Sequence, residues 1–311
     1  MNKKLKKIFG RLDNKSLLIG FLLSTAAVAL VVFSVSYLQN KSRIQTDYKK
    51  PLSIRSLEYC NNGEKLDLFV PQSNQPVPLV IYIHGGGWKY GSKVGGSENL
   101  FTPLLQKNIA VASINYRLSD SAKFPAAIQD VLCSVRFLKS NASVFNINPD
   151  KVGLAGISAG AHLAALAGNN YEEASFGSQE YTGVSNEVKA VVAINGIFDL
   201  NDTDLTVETQ ANVKNLLKNN SELERQLASP ITKVGDQSPP QLIIYSSSDK
   251  LVNPAQSLNY YKKARQTKVE IQLLKVDSAD HNLGAYRSLA TRPNRSEIEK
   301  VINDFFINAL R

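Results

Sequence analysis

Apolar positions recur along this chain with two different periods, and the periods separate strands from helices. A continuous apolar run at 79–83 predicts a strand buried on both faces and 109–114 a second buried strand, and further strands are predicted at 188–194, 241–245 and 269–276. Between them the spacing turns helical. Ile128, Val131, Leu132, Val135 and Leu138 fall on one face of a segment that Pro125 opens and that runs to about residue 140, and the stripe is read as core packing. Further helices are predicted at 100–107, 161–167, 253–266 and 296–310. Segments 52–60 and 64–70 flank Asn61-Asn62-Gly63, whose Asn-Gly step predicts an antiparallel hairpin. Strand then helix, repeated, predicts an α/β domain with a mostly parallel central sheet flanked by helices. Only residues 196–238 break the alternation. They are polar, with helices predicted near 207–217 and 221–227, and are read as a lid insertion over a cleft.

The N-terminal stretch follows another pattern. Residues 16–40 contain no charge, and 17–37 are mostly Leu, Ile, Val, Ala and Phe. As a helix they span about 30 Å, one hydrocarbon core. Ala27-Val28-Ala29 has the form of a cleavage site, but apolar residues continue beyond it, so an uncleaved anchor is expected. The expected organisation is a basic tail at 1–15, a transmembrane signal anchor at 16–38, a linker at 39–51 and a domain at 52–311. Charge supports it. Of the net +9, most sits in residues 1–43, where eight basic residues face Asp13 alone; the rest carries 28 basic and 26 acidic residues. A nearly neutral domain without a basic stripe argues against nucleic acid. Long C-terminal domains translocate largely regardless of flanking charge, so a single-pass membrane protein with its domain on the extracytoplasmic side is expected. Cys60 and Cys133 have no metal-type spacing; a disulfide is open to them outside the cytoplasm, but unpaired, half-buried thiols are the expectation.

Candidate chemistry centres on residues 151–166. A short strand leads into Gly156-Ile157-Ser158-Ala159-Gly160, and an alanine-rich helix follows. G-x-S-x-G between strand and helix is a nucleophile elbow: the turn is sharp, and glycines on both sides leave room for the crossing backbone. Upstream, the strand at 79–83 runs into His84-Gly85-Gly86-Gly87-Trp88, where glycines expose backbone N–H groups to a cleft. A serine hydroxyl needs a base, and the chain has three histidines. His84 is expected to brace the glycine loop and His162 to pack locally on its helix. His281, in the loop after the last strand, is the candidate base. Asp249, after the strand at 241–245, is the candidate acid by chain order, with Asp277, Asp280 and Asp199 as rivals. Three scattered histidines form no metal set, and no cofactor is expected.

His84-Gly85-Gly86-Gly87-Trp88, Asn115-Tyr116-Arg117, Phe124-Pro125-Ala126-Ala127, the elbow and the late Asp249 and His281 together resemble the α/β-hydrolase esterases. The resemblance is to their hormone-sensitive-lipase-like and carbohydrate-acetylesterase-like branch and covers roughly residues 52–310. It implies an α/β-hydrolase fold, a Ser158–Asp249–His281 triad, an oxyanion hole from the N–H groups of Gly85, Gly86 and Ala159, and hydrolysis of small-molecule carboxylic esters with short acyl chains. Trp88, Tyr90 and Phe198 are read either as lining the substrate pocket, with Trp88 the binding candidate, or as packing in the core. The competing readings are a formamidase or peptidase on the same triad, an acyltransferase, and a non-catalytic membrane-tethered binding module.

Overall fold

An eight-stranded sheet, in the order β1-β2-β4-β3-β5-β6-β7-β8, carries the domain. The computed structural model describes residues 52–94, 101–169, 176, 180–277, 280–283 and 291–311. The expected tail, anchor and linker lie outside these residues, and no helix among the described residues is long and apolar enough to cross a membrane.

Strand β1 (Leu52–Glu58) pairs antiparallel with β2 (Lys65–Val70), as the Asn-Gly step predicts, and β2 pairs antiparallel with β4 (Ala110–Ile114). The remaining pairs are parallel: β4 with β3 (Val77–Ile83), then β5 (Ile147–Ile157), β6 (Ala190–Ile194), β7 (Gln241–Ser246) and β8 (Ile271–Val276). The period of two divides the buried strands between two cores. Leu79, Ile81, Ile83, Val191, Ala193 and Ile243 face one, whereas Val80, Tyr82, Val192, Ile194, Leu242 and Ile244 face the other. A run with no polar position is therefore what a sheet covered on both sides requires.

Helices fill both faces. α1 (Ala126–Ser140), the short α2 (Ala142–Phe145) and α3 (Ala159–Asn169) precede α4 (Val207–Leu216) and α5 (Glu222–Leu227), which lie within residues 196–238. α6 (Ala255–Ala264) and α7 (Arg295–Ala309) follow. The segment read as a helix at 100–107 is a 3-10 helix at Thr102–Lys107. It opens on a proline, and Asn108 turns left-handed at its end (φ 58°) and closes it. α7 begins in a capping box, Asn294 with Glu297, and packs so closely that Phe306 leaves no room for a side chain at Gly153.

The expected free thiols are corrected. Cys60 and Cys133 form a disulfide, with Cα atoms 6.4 Å apart. Both residues are buried. The bond ties the turn after β1 to the inner face of α1, which packing brings together across 73 residues of sequence.

Candidate active site

The parallel strands end at one edge of the sheet, and the candidate residues lie just past those ends. β5 stops at Ile157 and α3 starts at Ala159, leaving Ser158 between them in a left-handed conformation (φ 57°), which is strained for a residue with a Cβ. Its N–H donates to the Ile194 carbonyl (2.8 Å), pinning the turn to the end of β6. The flanking glycines are sterically required. A Cβ on Gly156 would lie 2.3 Å from the Gly160 backbone, and one on Gly160 would lie 2.1 Å from the Ile83 carbonyl oxygen.

The glycine loop after β3 lies against the serine: a Cβ on Gly85 would sit 3.2 Å from the Ser158 Cβ. Gly86 (φ 107°) bends the loop, and its carbonyl accepts from the N–H groups of Lys89 (3.0 Å) and Tyr90 (2.9 Å). Among the described residues the N–H groups of Gly85 and Gly86 have no backbone acceptor, and the first N–H of α3, on Ala159, has no intrahelical one. Of these, Gly85 lies against Ser158 and Ala159 follows it in sequence.

The motif at 115–117 braces this loop. The Tyr116 ring stacks on His84 (4.3 Å between centroids), and its hydroxyl donates to the His84 carbonyl (3.0 Å). Asn115 accepts from Lys93 N (2.7 Å), and Arg117 is held by the buried carboxylate of Asp130 on α1 (2.7 Å). His84 donates from Nδ1 to the Gly85 carbonyl (2.7 Å).

His162 packs beneath the loop and is fully buried. Its Nδ1 accepts from the Trp88 indole N–H (3.1 Å), and Nε2 donates to the Ala228 carbonyl (2.7 Å). The expectation that Trp88 lines a pocket is thereby corrected. The indole packs against His162 in the core, and 1% of the residue is exposed. Phe198, stacked on Tyr260, is likewise buried, whereas Tyr90 is exposed.

Burial drives the imidazoles of both His84 and His162 down to about 4, because a charged ring there would lose its hydration. Unfolded, each ring titrates near its usual value of about 6.5. The unfolded chain thus takes up protons first, and the stability each neutral ring provides is complete above that value and lost as pH falls toward 4. Between pH 7 and pH 5 the loss is expected to be about 2 kcal/mol per ring. Urea unfolding at the two pH values measures it, and His162→Gln, which cannot take up a proton, is expected to halve it. An unchanged unfolding free energy would contradict the burial.

His281 follows β8, and its Nδ1 bonds the Asp249 carboxylate at 2.6 Å. The other oxygen of Asp249 accepts from the N–H groups of Leu251 (2.9 Å) and Val252 (3.0 Å), which fixes the carboxylate's plane. Of the four acids considered, Asp249 is the one bonded to this imidazole among the described residues. Asp277 pairs with Lys275 (2.8 Å) and Ser247 (2.7 Å), while Asp199 and Asp280 accept from backbone N–H groups two residues on. Nε2 of His281 is buried and has no hydrogen-bond partner among the described residues.

Two residues that sequence reasoning missed hold the His281 loop. Asn195, buried and left-handed (φ 49°) at the end of β6, donates to the His281 carbonyl (2.7 Å) and accepts from Ser246 N (2.7 Å). Ser246 donates from its hydroxyl to the Asp280 carbonyl (2.8 Å). The only sequence signal was a polar residue at the end of each of two apolar strands.

Residues 66–264 match the BD-FAE family. The chain is 26% identical to "Esterase LipC" of Mycobacterium tuberculosis (strain ATCC 25618 / H37Rv) over 74% of its length. It is 31% identical to a kynurenine formamidase of Danio rerio over 70% of its length and 71% of the relative's. It spans 59% of Esterase LipC and 54% of Esterase LipQ, so it is shorter than these curated relatives. A solved structure described as a "Truncated form of carbohydrate esterase from gut microbiota" superposes with a TM-score of 0.73 at 27% identity, covering 85% of this chain and 98% of that one. With the fold, the elbow and a match across most of the domain in agreement, the chain belongs to the BD-FAE family, among the hormone-sensitive-lipase-like α/β-hydrolase esterases.

Proposed function

We propose that this protein is a serine hydrolase that cleaves carboxylic esters of short acyl chains through Ser158, His281 and Asp249. The observation that carries the reading is the imidazole of His281, bonded through Nδ1 to a buried carboxylate while Nε2 has no partner. That carboxylate stabilises the imidazolium formed when Nε2 takes a proton. Nε2 is not hydrogen-bonded to Ser158; in unliganded enzymes this contact is often long and tightens with substrate.

In the proposed cycle Ser158 Oγ attacks the ester carbonyl as its proton passes to His281 Nε2. The N–H groups of Gly85, Gly86 and Ala159 hold the oxyanion, each such donor worth about 3 kcal/mol. His281 returns the proton to the leaving alcohol, and water then hydrolyses the acyl-enzyme by the same steps. The identity to a kynurenine formamidase favours a second reading, an aryl formamide as substrate on the same triad.

The proposal extends to location. Residues 16–38 anchor the chain as a single-pass membrane protein, and the domain lies outside the cytoplasm. The Cys60–Cys133 disulfide supports this, because such bonds persist in oxidising compartments. One experiment tests both parts. A fluorophosphonate probe is expected to label the full-length protein in membranes washed with alkaline carbonate, and not the Ser158→Ala variant. Equal labelling of the variant would refute the nucleophile, and release by carbonate would refute the anchor. A panel of esters and formamides ranks the two substrate readings.

A further inference from the structure

We infer that Asn212, on the helix of the 196–238 insertion, is a specificity-determining residue whose amide hydrogen-bonds a hydroxyl group on the substrate beside the scissile ester. The inference deepens the ester-hydrolase reading and rests on Ser158 being the nucleophile.

The argument begins with how α4 is held. At its start, the hydroxyls of Thr206 (2.8 Å) and Thr209 (2.9 Å) donate to the Leu251 carbonyl, in the turn whose N–H groups fix Asp249. At its end, Asn215 donates to Ser119 (2.7 Å) and Asp120 (2.8 Å), and Phe124 N donates to the Leu216 carbonyl (2.9 Å). Ser119 N in turn donates to the Trp88 carbonyl (2.8 Å), in the glycine loop. A ten-residue helix is about 15 Å long. α4 therefore runs from the acid's turn to the glycine loop and is fastened at both, a fixed wall of the cleft.

Asn212 faces that loop. A Cβ on Gly87 would lie 2.7 Å from its Nδ2, 2.9 Å from its Cγ and 3.2 Å from its Oδ1, so the amide lies over the Gly87 Cα. Gly87 is two residues along from Gly85, which touches Ser158. The other amides of α4 are committed: Gln210 donates to the Leu205 carbonyl (2.8 Å) and Asn215 is bonded as above. Asn212, half-buried, has no hydrogen-bond partner in the described structure. Two N–H donors and a carbonyl acceptor thus stand over Gly87, in the loop that carries two of the proposed oxyanion donors, with no partner among the described residues. A hydroxyl, which both donates and accepts, matches such a group on either side of the ester.

The test compares matched esters in two arms. In the alcohol arm, 2-hydroxyethyl acetate is set against propyl acetate; in the acyl arm, ethyl 3-hydroxybutyrate is set against ethyl 3-methylbutanoate. The Asn212→Leu variant is expected to lower the preference for the hydroxylated ester, read as a ratio of kcat/KM values, about tenfold in one arm, which identifies the side of the ester concerned. A purely structural role lowers both members of a pair together. Ratios within twofold of wild type in both arms overturn the inference. A second readout does not need turnover: in the Ser158→Ala background, Asn212→Leu is expected to weaken binding of one hydroxylated ester about tenfold by ligand-observed NMR, and unchanged binding of both overturns it. Failure of the hydrolase reading shows separately, as hydrolysis that survives Ser158→Ala.

Discussion

Replacing Ser158 by glycine and by alanine is expected to lower kcat to the same extent, on the order of 10^5-fold, while the glycine variant is about 1 kcal/mol more stable than the alanine variant. The two effects have different sources. Activity falls because both variants lack Oγ. The stability difference comes from the backbone: Ser158 sits at φ 57°, where a Cβ crowds the following carbonyl at a cost of about 1–2 kcal/mol. Alanine keeps that cost and glycine removes it, less roughly 0.5–1 kcal/mol for the freedom glycine gains in the unfolded chain. Rates on a short-chain ester, together with urea unfolding curves, measure both. An alanine variant more stable than the glycine variant by roughly 0.5–1 kcal/mol would show that the turn stores no strain. Hydrolysis persisting in either would remove Ser158 from the chemistry.

The second large effect is on stability alone. Replacing Cys60 and Cys133 together by alanine is expected to cost about 4 kcal/mol, because the bond closes a loop whose ends are 73 residues apart and unfolded loops of that length lose much entropy when closed. Reduction of the wild-type protein should lower the unfolding midpoint to a similar degree. Cys60 sits in the turn after β1, so the loss should appear first as fraying of the β1–β2 hairpin, seen as faster amide exchange there. A cost below about 1 kcal/mol would mean the constraint is matched by strain in the folded state.

Residues 79–83 and 109–114 announced themselves as buried strands because a sheet covered on both faces favours apolar side chains in succession. The hairpin at 61–63 and the helix stripe of α1 were legible for similarly local reasons. The elbow was legible because its glycines answer a local steric demand, now visible as the contacts of Gly156 and Gly160. What could not be read depended on distant parts of the chain. The disulfide required knowing that α1 packs against the β1–β2 turn, and no spacing rule encodes that. Asn195 and Ser246 act on the backbone carbonyls of residues 280 and 281, which any side chain could supply, so no motif marks the partners. Trp88 stayed open between cleft and core because the choice is made by its contact with His162, 74 residues away in sequence.

The tightness at Gly160 reaches beyond its own position. Its Cα fills the gap between the nucleophile's turn and the ends of β3, with 2.1 Å from a would-be methyl to the Ile83 oxygen and 2.6 Å to that of His84. The proposed attacking atom and the donors proposed to receive the oxyanion are in effect cast as one piece. Thermal motion can carry them together but has little means of changing the distance between them, so the reach of the attack is set when the chain folds rather than when a molecule arrives.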